Sequence, residues 1–395
     1  MHIAKWEWKK LLRDWKTRIL ALAFLLFFGS FSLLYQQQTV AFPQERMAQE
    51  YEDIHSLFNM LPQSAFTDDI GDEVYDLLAE QQMLYGLQLY ILKKKLGNTV
   101  PNWEKILSNY LDNGTKIATN QSRLLELKEF DHFNFLRQYL PEEERITQEL
   151  ALYKYLEEHD LDIEWNSYSA SNILLQEVNL IIGFSLFLFI ALLGSDRFTK
   201  DQTKNWSISQ GVPVTLRKQW HIRTFHTWVV VWSVSLIGLL ISYLISLIQE
   251  TSGSLLYPVM VYTSSGYKPI AIWQYTFLAL GIAMLLSYFL LLLTIGLSWV
   301  FRTTYLTIIL VLGVYFFPFI WNFIPSFSSW QPSLYLHLQS IFSGEMAMQL
   351  QMPGITFEKA WIGILLLILF VEVLFTFLFD QIQTQTLGLQ RRISS

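Results

Sequence analysis

Residues 273–300 read WQYTFLALGIAMLLSYFLLLLTIGLSWV, an apolar run without a single Asp, Glu, Lys or Arg. Crossing the hydrocarbon core of a bilayer takes about 20 residues of helix, so this run is long enough to cross with a tilt. Five further segments have the same character: Arg18 to Tyr35, Leu174 to Leu193, Thr227 to Ile248, Thr304 to Ile324 and Ala360 to Phe379. The fifth in chain order, 304–324, carries Pro318 near one end and meets Pro325 just beyond it, where a helix breaks or kinks. With 52% apolar and 16% aromatic residues, the chain is too hydrophobic for an ordinary soluble domain. The fold expected is an all-α integral membrane protein with six transmembrane helices.

The flanks of these spans give the orientation. Lys5, Lys9, Lys10, Arg13, Lys16 and Arg18 precede the first span, opposed by Glu7 and Asp14. Between spans 2 and 3 stand Arg197, Lys200, Lys204, Arg217, Lys218 and Arg223. Arg302 occupies the turn between spans 4 and 5, and Arg391 and Arg392 lie in the tail 380–395, whereas the opposite short loops hold only Lys268 and Lys359. The positive-inside rule then puts both termini in the cytoplasm. Trp228, Trp273, Trp299, Trp321 and Trp361 fall at span ends, where an indole favours the headgroup region. The first apolar run follows a charged lead and ends in Gln36, Gln37 and Gln38 without a small-residue cleavage pattern, so it reads as a retained span.

Charge divides the chain. Between Gln36 and Ala170 lie 24 of the 34 acidic residues but only 11 of the 28 Lys and Arg. The block 36–173 is therefore strongly acidic and, on the map above, extracytoplasmic. It reads as a helical domain: Val74, Leu77, Leu78, Met83, Leu84 and Leu87 recur at helical spacing, as do Leu152, Tyr153 and Leu156. Pro141, followed by Glu142, Glu143 and Glu144, suits a helix start, and no strand alternation stands out. With no cysteine, the domain has no disulfide framework, which fits a bacterial surface. Asn113-Gly-Thr and Asn120-Gln-Ser match a glycosylation pattern that is common by chance. His55, His132 and His159 lack metal-ligand spacing.

Two cytoplasmic segments carry motifs. In residues 1–17, Ala4, Trp8, Leu11, Leu12 and Trp15 form an apolar stripe, with lysines and Arg13 on or near the other face. That is the pattern of a helix lying in the membrane interface, as against a plain topological anchor. The loop 194–226 begins at Asp196, Arg197 and Phe198, continues through Lys204, Trp206 and Ile208, breaks at Gly211 to Pro213 and re-enters at Arg217 and Lys218. Its apolar knobs suit docking into a groove on a cytosolic subunit; the plainer reading is a solvated positive loop.

Six spans, inside termini, an interfacial N-terminal helix and this loop together resemble the permease subunits of ABC-2-type transporters. In that family the loop after span 2 begins with an acidic residue and runs through a coupling helix to a Pro-centred end. Asp196 looks like that start, and Ser209-Gln-Gly-Val-Pro213-Val-Thr-Leu-Arg217 looks like that end. The chain departs at Lys204-Asn205, where many members carry Gly-Thr, and around His221 to Arg223, where Gly-Lys is common. The resemblance implies a homodimer or a heterodimer with a second permease, driven by a cytosolic ABC ATPase subunit. ATP and Mg2+ would bind on that partner, since this chain has no Gly-x-x-x-x-Gly-Lys-Ser/Thr loop of its own. It further implies a pathway lined by spans 2 and 5, hence by Phe184, Phe187, Tyr315 and Phe316. No protease or hydrolase motif accompanies these features, and no enzyme activity is expected of the chain itself.

Charge inside a span is costly and often functional. Glu372 lies well inside span 6 and is the further pathway candidate; Glu177, near the outer end of span 2 beside Gln176 and Asn179, reads as able to reach water. Residues 325–359 are too apolar for a free loop and too interrupted for a span, which fits re-entrant or interfacial helices. The function expected is export of a lipophilic or amphipathic cargo, such as a peptide or antimicrobial, across a bacterial plasma membrane. The partners expected are the ATPase, a second permease and the lipid bilayer, not nucleic acid. The rivals are a mechanotransmission subunit and a membrane sensor, each acting through the outer domain without moving cargo.

Overall fold

The computed structural model describes residues 2–40, 42–96, 103–199, 215–320 and 329–393. The chain is a mostly helical membrane protein. Among the described residues four helices are long and apolar enough to cross a bilayer: Ala170–Gly194, Leu216–Gln249, Ile272–Phe301 and Phe357–Gln381. Thr304–Pro318 is a shorter apolar helix. The first expected span, 18–35, departs from one continuous helix. Helix α1 (His2–Arg13) stops at Asp14, whose carboxylate accepts from the Thr17 amide at 3.2 Å and caps α2 (Trp15–Gly29). Ser30 then interrupts the chain before the short α3 (Phe31–Leu34). The expected end of span 5 at 321–324 lies outside the described residues.

The acidic block folds as expected into helices: α4 (Gln44–Met60), α5 (Asp69–Leu96), α6 (Trp103–Glu126), α7 (Phe133–Leu136) and α8 (Glu143–Glu158). They enclose a core of their own around Leu57, Leu78, Tyr85, Leu124, Leu136 and Leu156. In water, burying each such side chain stabilises by roughly 1.5–3 kcal/mol. The membrane core around Phe28, Phe189, Trp220, Ile282, Leu291 and Phe375 is built from similar residues. There the alternative partner is lipid, equally apolar, so close packing and hydrogen bonds hold the helices together instead.

Span 2 begins at α9 (Ala170–Leu180) and resumes as α10 (Leu186–Gly194). Between them Ile181–Ser185 form one wide turn in which Gly183 leaves helical geometry (φ −84°, ψ −149°). Helix α11 (Leu216–Gln249) packs against α12 (Ile272–Phe301) through indoles. Trp220 Nε1 donates to the Leu292 carbonyl at 3.0 Å, and Trp232 Nε1 to the Ser287 hydroxyl at 2.8 Å. Glycines let helices approach closely: a Cβ on Gly238 would lie 2.5 Å from Phe28 Cβ, and one on Gly296 2.5 Å from the Phe375 ring.

One correction to an all-α fold is a hairpin between α11 and α12. Strands β1 (Pro258–Thr263) and β2 (Gly266–Ala271) pair antiparallel, Pro258 opposite Ala271 and Thr263 opposite Gly266. Gly266, at φ +96°, supplies the left-handed residue that closes the turn. The hairpin packs on α8. Tyr267 donates to the Ser343 carbonyl at 3.3 Å, and Tyr262 to the Pro353 carbonyl at 3.2 Å. It thereby fastens the acidic domain to the segment that follows α13 (Thr304–Ile320). That segment folds into a short 3-10 turn (Pro332–Leu336), α14 (Leu338–Phe342) and α15 (Glu345–Gln349), before α16 (Phe357–Ile393) closes the fold.

Candidate functional site

The head of the predicted coupling loop meets α1 and α11 at one buried junction. Arg223, two turns into α11 and 4% exposed, donates from Nη2 and Nε to Glu7 Oε1 at 2.8 and 3.3 Å. Its Nη1 donates to the Arg197 carbonyl at 2.7 Å, and its guanidinium lies 4.4 Å from the centre of the Phe198 ring. Glu7 itself is 7% exposed. A second set of contacts runs alongside. Lys16 pairs with Asp196 at 3.2 Å, and Arg197 Nη2 donates to the Thr17 hydroxyl at 3.2 Å, which in turn donates to Asp14 at 2.8 Å. Burial works against the Arg197 charge, and neighbouring Asp196 and Asp14 work for it.

These contacts redefine the face of α1. Leu11 is buried and Trp8 packs edge-on against His226 at 5.2 Å, as an apolar stripe should. Leu12 and Trp15, assigned to the same stripe, are exposed, Trp15 at 71%. The buried face instead includes Glu7, a residue that sequence reasoning counted only as a counter-charge. The signal for it is the spacing: Ala4, Glu7, Trp8 and Leu11 share one side of the helix. Of the other loop candidates, Lys204, Trp206, Ile208 and Pro213 lie outside the described residues. Arg217 and Lys218 open α11, where Thr215 caps the Lys218 amide at 3.4 Å.

Farther along the spans, Phe184, Phe187, Tyr315 and Phe316 meet in one aromatic cluster. Phe187 and Tyr315 rings lie 4.1 Å apart and Phe184 lies 5.8 Å from Tyr315 and 6.0 Å from Phe316. Phe187 and Tyr315 are buried, whereas Phe184 and Phe316 are exposed. His337, behind Tyr315, bonds the Tyr315 carbonyl at 2.8 Å, and burial holds its imidazole below its ordinary pKa. A cavity of about 570 Å³ opens beside Phe184, bounded by Phe24, Phe27, Leu180, Gly183 and Gln339. Its floor is the wide turn at Gly183, where a Cβ would come within 3.0 Å of Gln339 Oε1.

Glu372 does not join this cluster. It lies 3.5 Å from His221 and 3.9 Å from Arg217, beside the first two turns of α11. Its carboxylate therefore belongs to the junction end of the molecule. Glu177 also departs from expectation. It is fully buried, and neither oxygen makes a hydrogen bond among the described residues, although Ser242 of α11 faces it. Sequence placed it near water because it precedes the apolar core of span 2; packing of α11 over α9 closes that route.

Comparison with protein-family models, with curated proteins and with solved structures found no match.

Proposed function

We propose that the chain is the membrane subunit of an ATP-driven exporter of the ABC-2 type. In this reading six spans carry both termini in the cytoplasm of a bacterial cell, and the acidic domain stands outside. Two such subunits, or one with a related permease, pair over a cytosolic ATPase that binds ATP and Mg2+.

The observation that carries this reading is the buried Glu7–Arg223 pair. It welds an interfacial helix, the loop after span 2 and the start of α11 into one piece. A push on that loop by a closing ATPase is then transmitted to α11 and α1 together, because separating them would leave a buried charge unpaired. The aromatic cluster joins the wide turn and α10 to α13, and the cavity beside Phe184 lies between α2, the wide turn and α10, the helix that leads directly into that loop. Their apolar lining suits a lipophilic or amphipathic cargo. Outside, the acidic domain would raise the local concentration of cationic amphipaths at low ionic strength.

Two steps test the proposal. Cells lacking this chain and its neighbouring ATPase should become more sensitive to some cationic amphipathic peptide or lipophilic cation. Inverted vesicles from cells that have both should accumulate that compound only with ATP. Unchanged tolerance and no ATP-dependent uptake across such a panel would overturn it. The hairpin clamp between α8 and the 329–356 segment favours a second reading, mechanotransmission to the outer domain. That reading predicts ATP-dependent movement of the outer domain with no uptake at all.

A further inference from the structure

The junction described above borders a cleft of about 440 Å³ between α1, the turn after α10 and α11. Its acidic groups are already engaged: Glu7 by Arg223, Asp14 by Thr17, and Asp196 by Lys16. Two of its cationic side chains are not. Lys9 and Arg13 line it, are exposed, and make no ion pair among the described residues. Deeper in, Arg197 Nε and His226 Nδ1 are buried without a hydrogen bond among the described residues. An arginine Nε–H is always a donor, and a buried donor without an acceptor costs roughly 1–3 kcal/mol. The cleft thus combines surplus positive charge at its mouth with an unanswered donor inside.

We propose that this cleft binds the phosphate headgroup of an anionic phospholipid. The surroundings favour a lipid over a free anion. Leu12, Trp15, Ile19, Leu22 and Leu26 expose apolar side chains along the outer surface of α1 and α2 beside the cleft, where acyl chains would lie. Basic pockets between helices at the cytoplasmic boundary are suited to anionic headgroups, each nearby Lys or Arg contributing on the order of 1 kcal/mol. A cleft of this size admits a glycerophosphate group without rearrangement of the Glu7–Arg223 pair. The bound phosphate would be screened by Lys9 and Arg13, and a turn of the Arg197 side chain would bring its Nε–H to it. Lipid would then brace the same junction from the membrane side. The inference does not depend on what, if anything, the chain exports.

Native mass spectrometry of the full chain in nonionic detergent, titrated with phosphatidylglycerol, reads this out directly. Phosphatidylcholine serves as the neutral control and inorganic phosphate as the soluble competitor. We expect one tightly held phosphatidylglycerol, bound roughly tenfold to thirtyfold more weakly by the Lys9→Gln/Arg13→Gln double variant. Lys9→Arg/Arg13→Lys, which keeps both charges, should bind as the wild type does and controls for folding. Arg197→Lys, which keeps charge but removes the Nε donor, should bind more weakly than wild type. Equal retention of phosphatidylcholine, wild-type binding by the Gln double variant, or displacement by millimolar phosphate would overturn the proposal. The last outcome would assign the cleft to a soluble anion.

Discussion

Two ionic networks stand at opposite ends of this molecule and differ in what they hold. At the junction, Arg223 and Glu7 are both under a tenth exposed and join elements some two hundred residues apart in sequence. In the acidic domain, Arg46 and Arg145 of α4 and α8 share Glu50 and Glu149, with the arginine side chains 43% and 38% exposed. There each carboxylate has two cationic partners: Arg46 reaches Glu149 at 3.0 Å and Glu50 at 3.8 Å, and Arg145 contacts both. Burial works against the Arg145 charge, but Glu50 and Glu149 outweigh it and raise its pKa. In the acidic domain the cations are redundant and half-exposed; at the junction the Glu7–Arg223 pair is buried, with the half-exposed Lys16–Asp196 pair beside it. Redundancy suits a domain that only has to stay folded. On the proposed function, a buried pair suits a joint that moves as a unit.

That contrast predicts its largest effect at Glu7. Removing its charge with Glu7→Gln leaves Arg223 buried beside an uncharged amide, and a broken buried pair costs about 3–5 kcal/mol. Thermal unfolding of the purified protein should show it as a clear loss of stability. Replacing both partners, Glu7→Leu with Arg223→Met, should recover most of the stability, because no charge is stranded. On the proposed function it should not recover coupling to an ATPase. Recovery of both would show that the pair matters only for folding.

Next in size is a test of the packing beneath the joint. Gly296→Leu forces a side chain into the Phe375 ring, which lies beside Trp220, and should cost about 1–3 kcal/mol. Gly313→Ala, where a Cβ meets nothing within 4 Å, should be nearly silent in the same measurement. Arg145→Ala in the acidic domain should cost about 1 kcal/mol or less, since Arg46 remains to serve both carboxylates. High salt should shrink that loss further and leave the Glu7→Gln loss almost unchanged.

The smallest expected effect is a pH slope from His337. Its folded pKa lies below the ordinary value near 6.5 because the ring is buried, so the unfolded chain takes up the proton first as pH falls. The stability contribution is whole above about pH 6.5 and declines below it, down towards the folded pKa. His337→Gln should flatten that part of the stability profile. An unchanged slope in the variant would assign the titration to another group.

The membrane class of this chain was legible because uncharged runs such as 273–300 admit few other readings. The helices of the acidic block were legible from their spacing. The four aromatics Phe184, Phe187, Tyr315 and Phe316, on the wide turn, α10 and α13, were named through the family resemblance, and the fold brings them together. What escaped depends on neighbours that sequence does not display. Glu7 reads as solvated until Arg223 arrives from a helix far along the chain. Glu177 reads as near water until α11 covers it. The hairpin at Pro258–Ala271 is short, and its signal is the Thr263-Ser-Ser-Gly266 turn rather than a long alternation. The wide turn at Ile181–Ser185 left a weaker mark, a Gly-Phe-Ser step inside an otherwise continuous apolar run.

On the proposed function, the junction couples this chain to an ATPase. Affinity purification of the full chain from native membranes, scored for a co-purifying protein that binds ATP through a phosphate-loop motif, tests it most directly. We expect such a subunit with the wild-type chain, and its loss when residues 196–218 are replaced by a neutral linker that leaves the chain in the membrane. An ATPase retained equally by the linker variant, or none retained by the wild type under conditions that preserve other membrane complexes, would contradict such coupling.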